Sequence, residues 1–177
     1  MAEAGAAGGK GVGVKLLLIR HAIAVPRGTP GIPDDERPLS ARGERRFRRA
    51  ARGLARVARR PDVILTSPLP RALRTAEIVA KAWGRLEPEP QPALASGRVK
   101  AVLTLLAAQR RHAMIAIVGH EPHLSALLAR LIGTAKSERL AFRKGGAALV
   151  AIVGSPTHGG RLIWHLTPKL LRALARH

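Results

Sequence analysis

The stretch VKLLLIRHA, residues 14–22, decides the fold. Val14 to Ile19 is an apolar run of strand length, so it reads as a buried strand. Two polar residues, Arg20 and His21, then end it. The same unit recurs along the chain. Asp62–Thr66 and Ala113–Val118 are further short apolar runs, each followed by polar residues and then by helical periodicity. Between the strands, Ser40 is an N-cap with Glu44 in the first turn, and Phe47, Ala50, Ala51, Leu54 and Val57 form a stripe to about residue 60. Pro70 starts a helix with Ala72, Ala76, Val79 and Trp83 on its inner face. A helix is expected over 98–110, and another from Pro122 with Leu124, Leu127, Leu128 and Leu131 inward. Ala147–Val153 and Leu162–Leu166 read as paired strands joined by a Gly-rich turn, and 168–176 as a closing helix. Residues 26–38 and 84–97 are Pro-rich and read as loops. Strands separated by helices predict one three-layer α/β/α domain with a mostly parallel sheet, over residues 14–177.

Composition sets the outer limits. The chain has 177 residues, 46% of them hydrophobic, enough for one domain with a sizeable core. It contains no cysteine, which excludes disulfides, thiolate catalysis and Cys-ligated metals. That fits a reducing compartment, and a cytoplasmic location is the expectation. No apolar run reaches membrane-spanning length. Residues 1–13 are rich in Gly and Ala, lack the pattern of a signal peptide, and read as a flexible tail. Lys and Arg outnumber Asp and Glu 31 to 11, a net charge of +20. Such a field attracts phosphates, acidic proteins or nucleic acid.

In a parallel α/β sheet, ligands bind beyond the carboxyl ends of the strands. Those ends carry Arg20 and His21, then Ser67 with Arg71 and Thr75 on the next helix, then His120 and Glu121. Two histidines and two arginines therefore meet at one rim. Arg71 and Thr75 are one turn apart and share a helix face. Taken singly, each has a structural explanation: His120 as a cap or core residue, Ser67 as a turn residue, Thr75 as a helix-surface residue. Jointly they suit phosphoryl transfer to histidine. A neutral imidazole is a competent nucleophile, and neighbouring arginines lower its pKa while binding the nonbridging oxygens.

At this point the sequence resembles the histidine phosphatase superfamily, with its phosphoglycerate-mutase-like fold. Arg20-His21-Ala22 corresponds to the family's R-H-G tripeptide, RPLSARG (37–43) to its L-[ST]-x-x-G element, TSPLPRALRTAEIV (66–79) to its S-x-x-x-R-x-x-x-T segment, and VGHEPHLS (118–125) to its second-histidine element. The order and spacing are the family's, over nearly all of residues 14–168. Length and the forms RPLSxxG and VGHEPxLS are most similar to the small bacterial phosphohistidine phosphatases of the SixA type. The resemblance implies His21 as the nucleophile, Arg20, Arg71 and His120 as the phosphate pocket, and Ser67 and Thr75 as supporting substrate-binding residues. It implies neither metal nor other cofactor. The expected substrate is a phosphorylated, acidic protein; a small phosphoester or a non-catalytic phosphate- or nucleic-acid-binding role are the alternatives.

Two departures stand out. Position 22 is Ala where the family usually has Gly, which is tolerated at negative φ. No motif assigns a proton donor; Glu87, Glu89, Glu121, Asp34 and Asp35 are the candidates. Imidazole leaves with a conjugate-acid pKa near ~6.5, so a phosphohistidine substrate needs less acid help than an ester. Outside the motifs, residues 42–60 form an arginine-rich amphipathic helix. Its outward Arg45, Arg46, Arg48, Arg49, Arg52, Arg56, Arg59 and Arg60 suit an acidic protein partner or nucleic acid, or a solvated face. Only four aromatics accompany them, Phe47, Trp83, Phe142 and Trp164, which disfavours base stacking. His120 and His123 lie three apart, but no third metal ligand is evident, and His112, His158, His165 and His177 show no ligand spacing.

Overall fold

Leu16, Leu17, Leu18 and Ile19 are all fully buried, alternating between the two faces of the first strand. A strand covered on both faces needs helices above and below it. The computed structural model describes residues 13–84, 86–109, 111–152 and 154–176 and shows that arrangement. The N-terminal tail expected over 1–13 lies, but for Gly13, outside the described residues. So do residues 110 and 153, at the ends of two expected elements.

The elements run β1 (Val14–Arg20), α1 (Ala41–Val57), β2 (Val63–Thr66), α2 (Pro70–Ala82), β3 (Glu89–Pro90), α3 (Ala93–Ser96), α4 (Val99–Ala107), β4 (Met114–Gly119), α5 (His123–Ile132), β5 (Ala147–Ile152), β6 (Arg161–Leu166) and α6 (Pro168–Leu174). The sheet order is β3-β2-β4-β1-β5-β6. β3, β2, β4 and β1 are parallel, β5 is antiparallel to β1, and β6 is antiparallel to β5. Leu17 and Ile19 pack with α1, α2 and α6, whereas Leu16 and Leu18 pack with α4 and α5. The expected three-layer α/β/α architecture with a mostly parallel sheet is therefore the observed one.

The differences from expectation are local. Residues 84–97 are not all loop: Glu89 and Pro90 pair with Leu65 and Thr66 on the outer edge of β2, and α3 follows. Two residues ending in proline carry no periodicity to read, and proline is tolerated on an edge. The arginine-rich helix stops at Val57, because Ala58 is already extended. Pro122 caps α5 rather than opening it. The β5–β6 connection contains a short 3-10 turn, Pro156–His158.

The first turn of α1 is built to hold the segment after β1. Ser40 caps the helix by accepting the Gly43 N–H at 3.0 Å, and its own N–H donates to the Ile23 carbonyl at 3.0 Å. A Cβ on Gly43 would lie 2.0 Å from that same carbonyl oxygen. Backbone crosses helix here, which gives the glycine of RPLSARG a steric reason. Gly53 does the same at the other end of α1, where a Cβ would meet the Leu171 carbonyl of α6 at 1.8 Å. Ala22, at the family's glycine position, has its methyl buried in the core beside α1 and α2.

Gly53→Ala is expected to force α6 away from α1 and cost about 1–3 kcal/mol of stability, as overpacking does. Arg52→Ala, on the exposed face one residue away, is expected to stay within about 0.5 kcal/mol of wild type. Urea denaturation of the two variants checks the contrast.

Candidate active site

β1 and β4 run parallel with Arg20 opposite Gly119, so His21 and His120 step off the sheet side by side. The His21 N–H donates to the Gly119 carbonyl at 3.0 Å. The two imidazole rings stand 5.1 Å apart, centroid to centroid. They face a cavity of about 300 Å³ lined by Arg20, Arg27, Arg37, Arg71, Lys144 and Glu121.

His21 is 6% exposed, and its Nδ1–H donates to the Ala22 carbonyl at 2.7 Å. That bond places the proton on Nδ1 and the lone pair on Nε2. Burial pushes the His21 pKa down to about 4; the bond to Ala22 works against this, and the charges of Arg71, Arg20 and Lys144 add to it. The arginines thus matter less than burial in keeping this imidazole neutral. His120 is held down to about 3, again first by burial and then by His21, Arg71, His123 and Arg20.

The second histidine is set by Ser67. His120 Nε2 lies 2.8 Å from Ser67 Oγ, and that oxygen already accepts the Leu69 N–H at 3.3 Å. His120 Nε2 is the acceptor available to the serine hydrogen among the described residues, and assigning it there puts the histidine proton on Nδ1. His120 Nδ1 is buried without a protein partner, as are Arg20 Nε and Arg71 Nε. Three unpaired buried donors at one rim call for an acceptor with several oxygens.

The arginines are fixed by backbone. Arg71 donates to the Asp34 carbonyl at 2.8 Å and Arg20 to the Phe142 carbonyl. Burial lowers the pKa of both, and Glu121 opposes the shift at Arg20. Thr75 does not line the cavity. Its hydroxyl accepts the Ala22 N–H at 3.0 Å and donates to the Arg71 carbonyl at 2.7 Å, so it ties the segment after His21 to α2. Ser67 and Thr75 therefore touch the site through His120 and Ala22.

Of the five acids considered as proton donors, Glu121 alone lines the cavity. Both of its oxygens are engaged: one accepts the Phe142 N–H at 2.8 Å, the other the Ser125 hydroxyl at 2.6 Å. Asp34 is bonded to Arg37 at 2.8 Å and paired with Arg27 at 3.0 Å. Desolvation raises the Asp34 pKa, but Arg37, Arg27 and Arg71 outweigh it and hold the carboxyl below its usual value. Asp35, Glu87 and Glu89 are exposed, with Glu89 on the β3 edge. Among the described residues, no three His, Cys, Asp or Glu side chains converge as metal ligands.

Three cavity cations were not singled out from sequence: Arg27, Arg37 and Lys144. Arg37 opens the RPLSARG element, a signal that was present. Lys144 had none. It reaches the rim because β5 is antiparallel to β1 and therefore begins where β1 ends. Glu121 and Arg20 pin that entry by bonding the Phe142 N–H and carbonyl.

Residues 16–97 match the sequence model of the histidine phosphatase superfamily, branch 1. An uncharacterised protein of Picosynechococcus is 39% identical over 116 residues, covering 63% of this chain and 68% of its own. A structure bearing the name phosphohistidine phosphatase SixA, from Agrobacterium tumefaciens, superposes with a TM-score of 0.75 at 28% identity, over 88% of this chain and 98% of its own. The protein histidine phosphatase SixA complexed with tungstate superposes with a TM-score of 0.76 at 25% identity, over 89% and 99% of the two chains.

Imidazole NMR is expected to show both His21 and His120 neutral at pH 7, titrating near 4 and 3. Both folded values lie below the unfolded value of about 6.5, so the unfolded chain binds more protons in that interval. The associated stability is complete above about pH 6.5 and lost as pH falls towards 4. His21→Gln is expected to reduce that acid-side loss in a pH series of urea melts.

Proposed function

The chain belongs to the histidine phosphatase superfamily, and on that premise we propose that it hydrolyses phosphohistidine on a protein substrate through a phosphorylated His21. It is a phosphatase-type hydrolase by family; the substrate is the proposal. The observation that carries it is a buried imidazole with its lone pair on Nε2, set in a cavity lined by five cations. A tetrahedral oxyanion, tungstate, is bound by one of the similar SixA proteins.

His21 Nε2 attacks phosphorus, forming an N–P bond as the substrate's P–N bond breaks. The electron pair of the broken bond stays on the substrate imidazole, which leaves neutral because its other ring nitrogen carries a proton. Arg20, Arg71 and Lys144 hold the charge on the nonbridging oxygens, and His120 donates from Nδ1. The Ala22 carbonyl accepts from Nδ1–H and stabilises the positive charge that develops on the His21 ring. Water then attacks phosphorus on the opposite side of that bond. The N–P pair returns to Nε2, and phosphate departs with the oxygen and both protons of water.

The engagement of both Glu121 oxygens supports a P–N substrate over an ester. An alkoxide leaving group needs a proton donor, whereas an imidazole already protonated on its other nitrogen leaves neutral without one. The surrounding cations favour a dianionic phosphoryl group and need no metal for charge stabilisation.

The test is phosphate release from a phosphohistidine protein in EDTA, with p-nitrophenyl phosphate run beside it. Wild type is expected to release phosphate from the phosphohistidine protein, and His21→Ala to lose at least ~10³-fold. Glu121→Gln is expected to retain most activity on the phosphohistidine substrate. Cleavage of the nitrophenyl ester alone would transfer the assignment to small phosphoesters. Ser67→Ala, which releases His120 from its tautomer, is expected to lower kcat about 10-fold with little change in KM.

A further inference from the structure

The surplus positive charge is not spread evenly over the arginine-rich helix. On one side of α1, Glu44 pairs with Arg48 and with Arg74 of α2, and Arg74 also pairs with Glu77. The hydrogen bonds from Arg74 and Arg48 hold Glu44 down to about 2 against its burial. That side is neutralised. On the other side, between α1 and α6, lies a groove of about 390 Å³ lined by five basic residues and no acid: Arg46, Arg143, Lys144, Lys169 and Arg172. None of the five makes an ion pair among the described residues. Biased composition scatters arginines; it does not place the carboxylates on one flank and leave the other bare.

The groove also joins the active site. Lys144 lines both cavities. Ala22 and Ile23, the residues after the nucleophile, form the near wall, with Phe47, Ala50 and Pro168 as apolar floor. Ile23 is 38% exposed, one of three exposed large hydrophobics among the described residues. Burial lowers the pKa of Arg172, and Arg46 and Arg49 lower it further; Lys144 is lowered by burial and by Arg20, Arg37 and Arg27. Both cations gain from an anion brought beside them.

We propose that this groove docks a carboxylate-rich segment of the phosphoprotein substrate, running along α1 and α6 and past Lys144 into the His21 cavity. The inference rests on the phosphohistidine-protein reading given above. Charge complementarity selects the occupant, since five unpaired cations over an apolar floor match acidic side chains interspersed with an apolar one. Nucleic acid fits less well: the groove's aromatic residue, Phe47, is 3% exposed and offers no face for a base.

Two measurements on the full chain decide it. The first compares phosphohistidine peptides that differ only in a flanking run of glutamates or glutamines. The acidic peptide is expected to have a KM about 10-fold lower, and Arg46→Glu/Arg172→Glu to abolish that preference while kcat on a small phosphoramidate is unchanged. The second titrates the unphosphorylated glutamate peptide onto the protein. Saturable binding is expected, weakened about 10-fold by the same pair of substitutions and by added salt. If the reversal variant does not fold, Arg46→Gln/Lys169→Gln replaces it. Equal KM values with no binding of the glutamate peptide overturn the proposal. If wild type hydrolyses no phosphohistidine at all, the catalytic reading fails on its own, and the binding titration still upholds or overturns the groove. An oligonucleotide that binds more tightly than the peptide and depends on the same residues overturns the acidic-segment assignment.

Discussion

The register of β1 against β4 is the constraint on which the site depends. With Arg20 opposite Gly119, the two strands end together, and the next residue of each is a histidine. A slip of one residue would turn the side chains of β1 to the wrong face and separate the pair. Burial of Leu16, Leu17, Leu18 and Ile19 on alternating faces penalises any such slip. The packing of the core and the placement of the two histidines are thus set by the same strand pairing.

The cavity reconciles two demands that oppose each other. It gathers positive charge and keeps an imidazole uncharged in its midst. Burial serves the second demand more than repulsion does, which is why His21 stays neutral even with its Nδ1–H bonded to a carbonyl. The first demand is met by guanidinium groups held on backbone carbonyls, which fix position without neutralising charge. Arg71 on Asp34 and Arg20 on Phe142 are both of this kind. Carboxylates near the rim are committed instead to structure: Glu121 to the loop before β5, Asp34 to Arg37 and Arg27.

The arginine-rich helix shows how little a charge run says by itself. In sequence, its arginines are equivalent members of one polar face. In the fold, Arg48 is answered by Glu44, whereas Arg46 stands with Arg172 of α6 beside the active site. α6 lies more than a hundred residues along the chain from α1, so no local pattern could relate them.

Much was legible in the sequence because the physics was local. Apolar runs specified strands, Ser40 and Pro70 specified helix starts, and polar residues directly after each strand had to lie at the carboxyl rim of a parallel sheet. That His21, Arg20, Arg71 and His120 share one rim was legible that way, and all four line one cavity. What the sequence left open were matters of contact between distant segments. Ser67 meets His120 and Thr75 meets Ala22 only because β2, β4 and β1 are neighbours in the sheet. Lys144 joins the cavity only because β5 runs antiparallel to β1. Gly43 and Gly53 are required only because backbone passes within 2.0 Å of where their side chains would be. Local sequence determines which residues end a strand or begin a helix, since those preferences act over a few bonds. Which of them touch is decided by burial of a shared core, and that free energy exists only once the whole chain has folded.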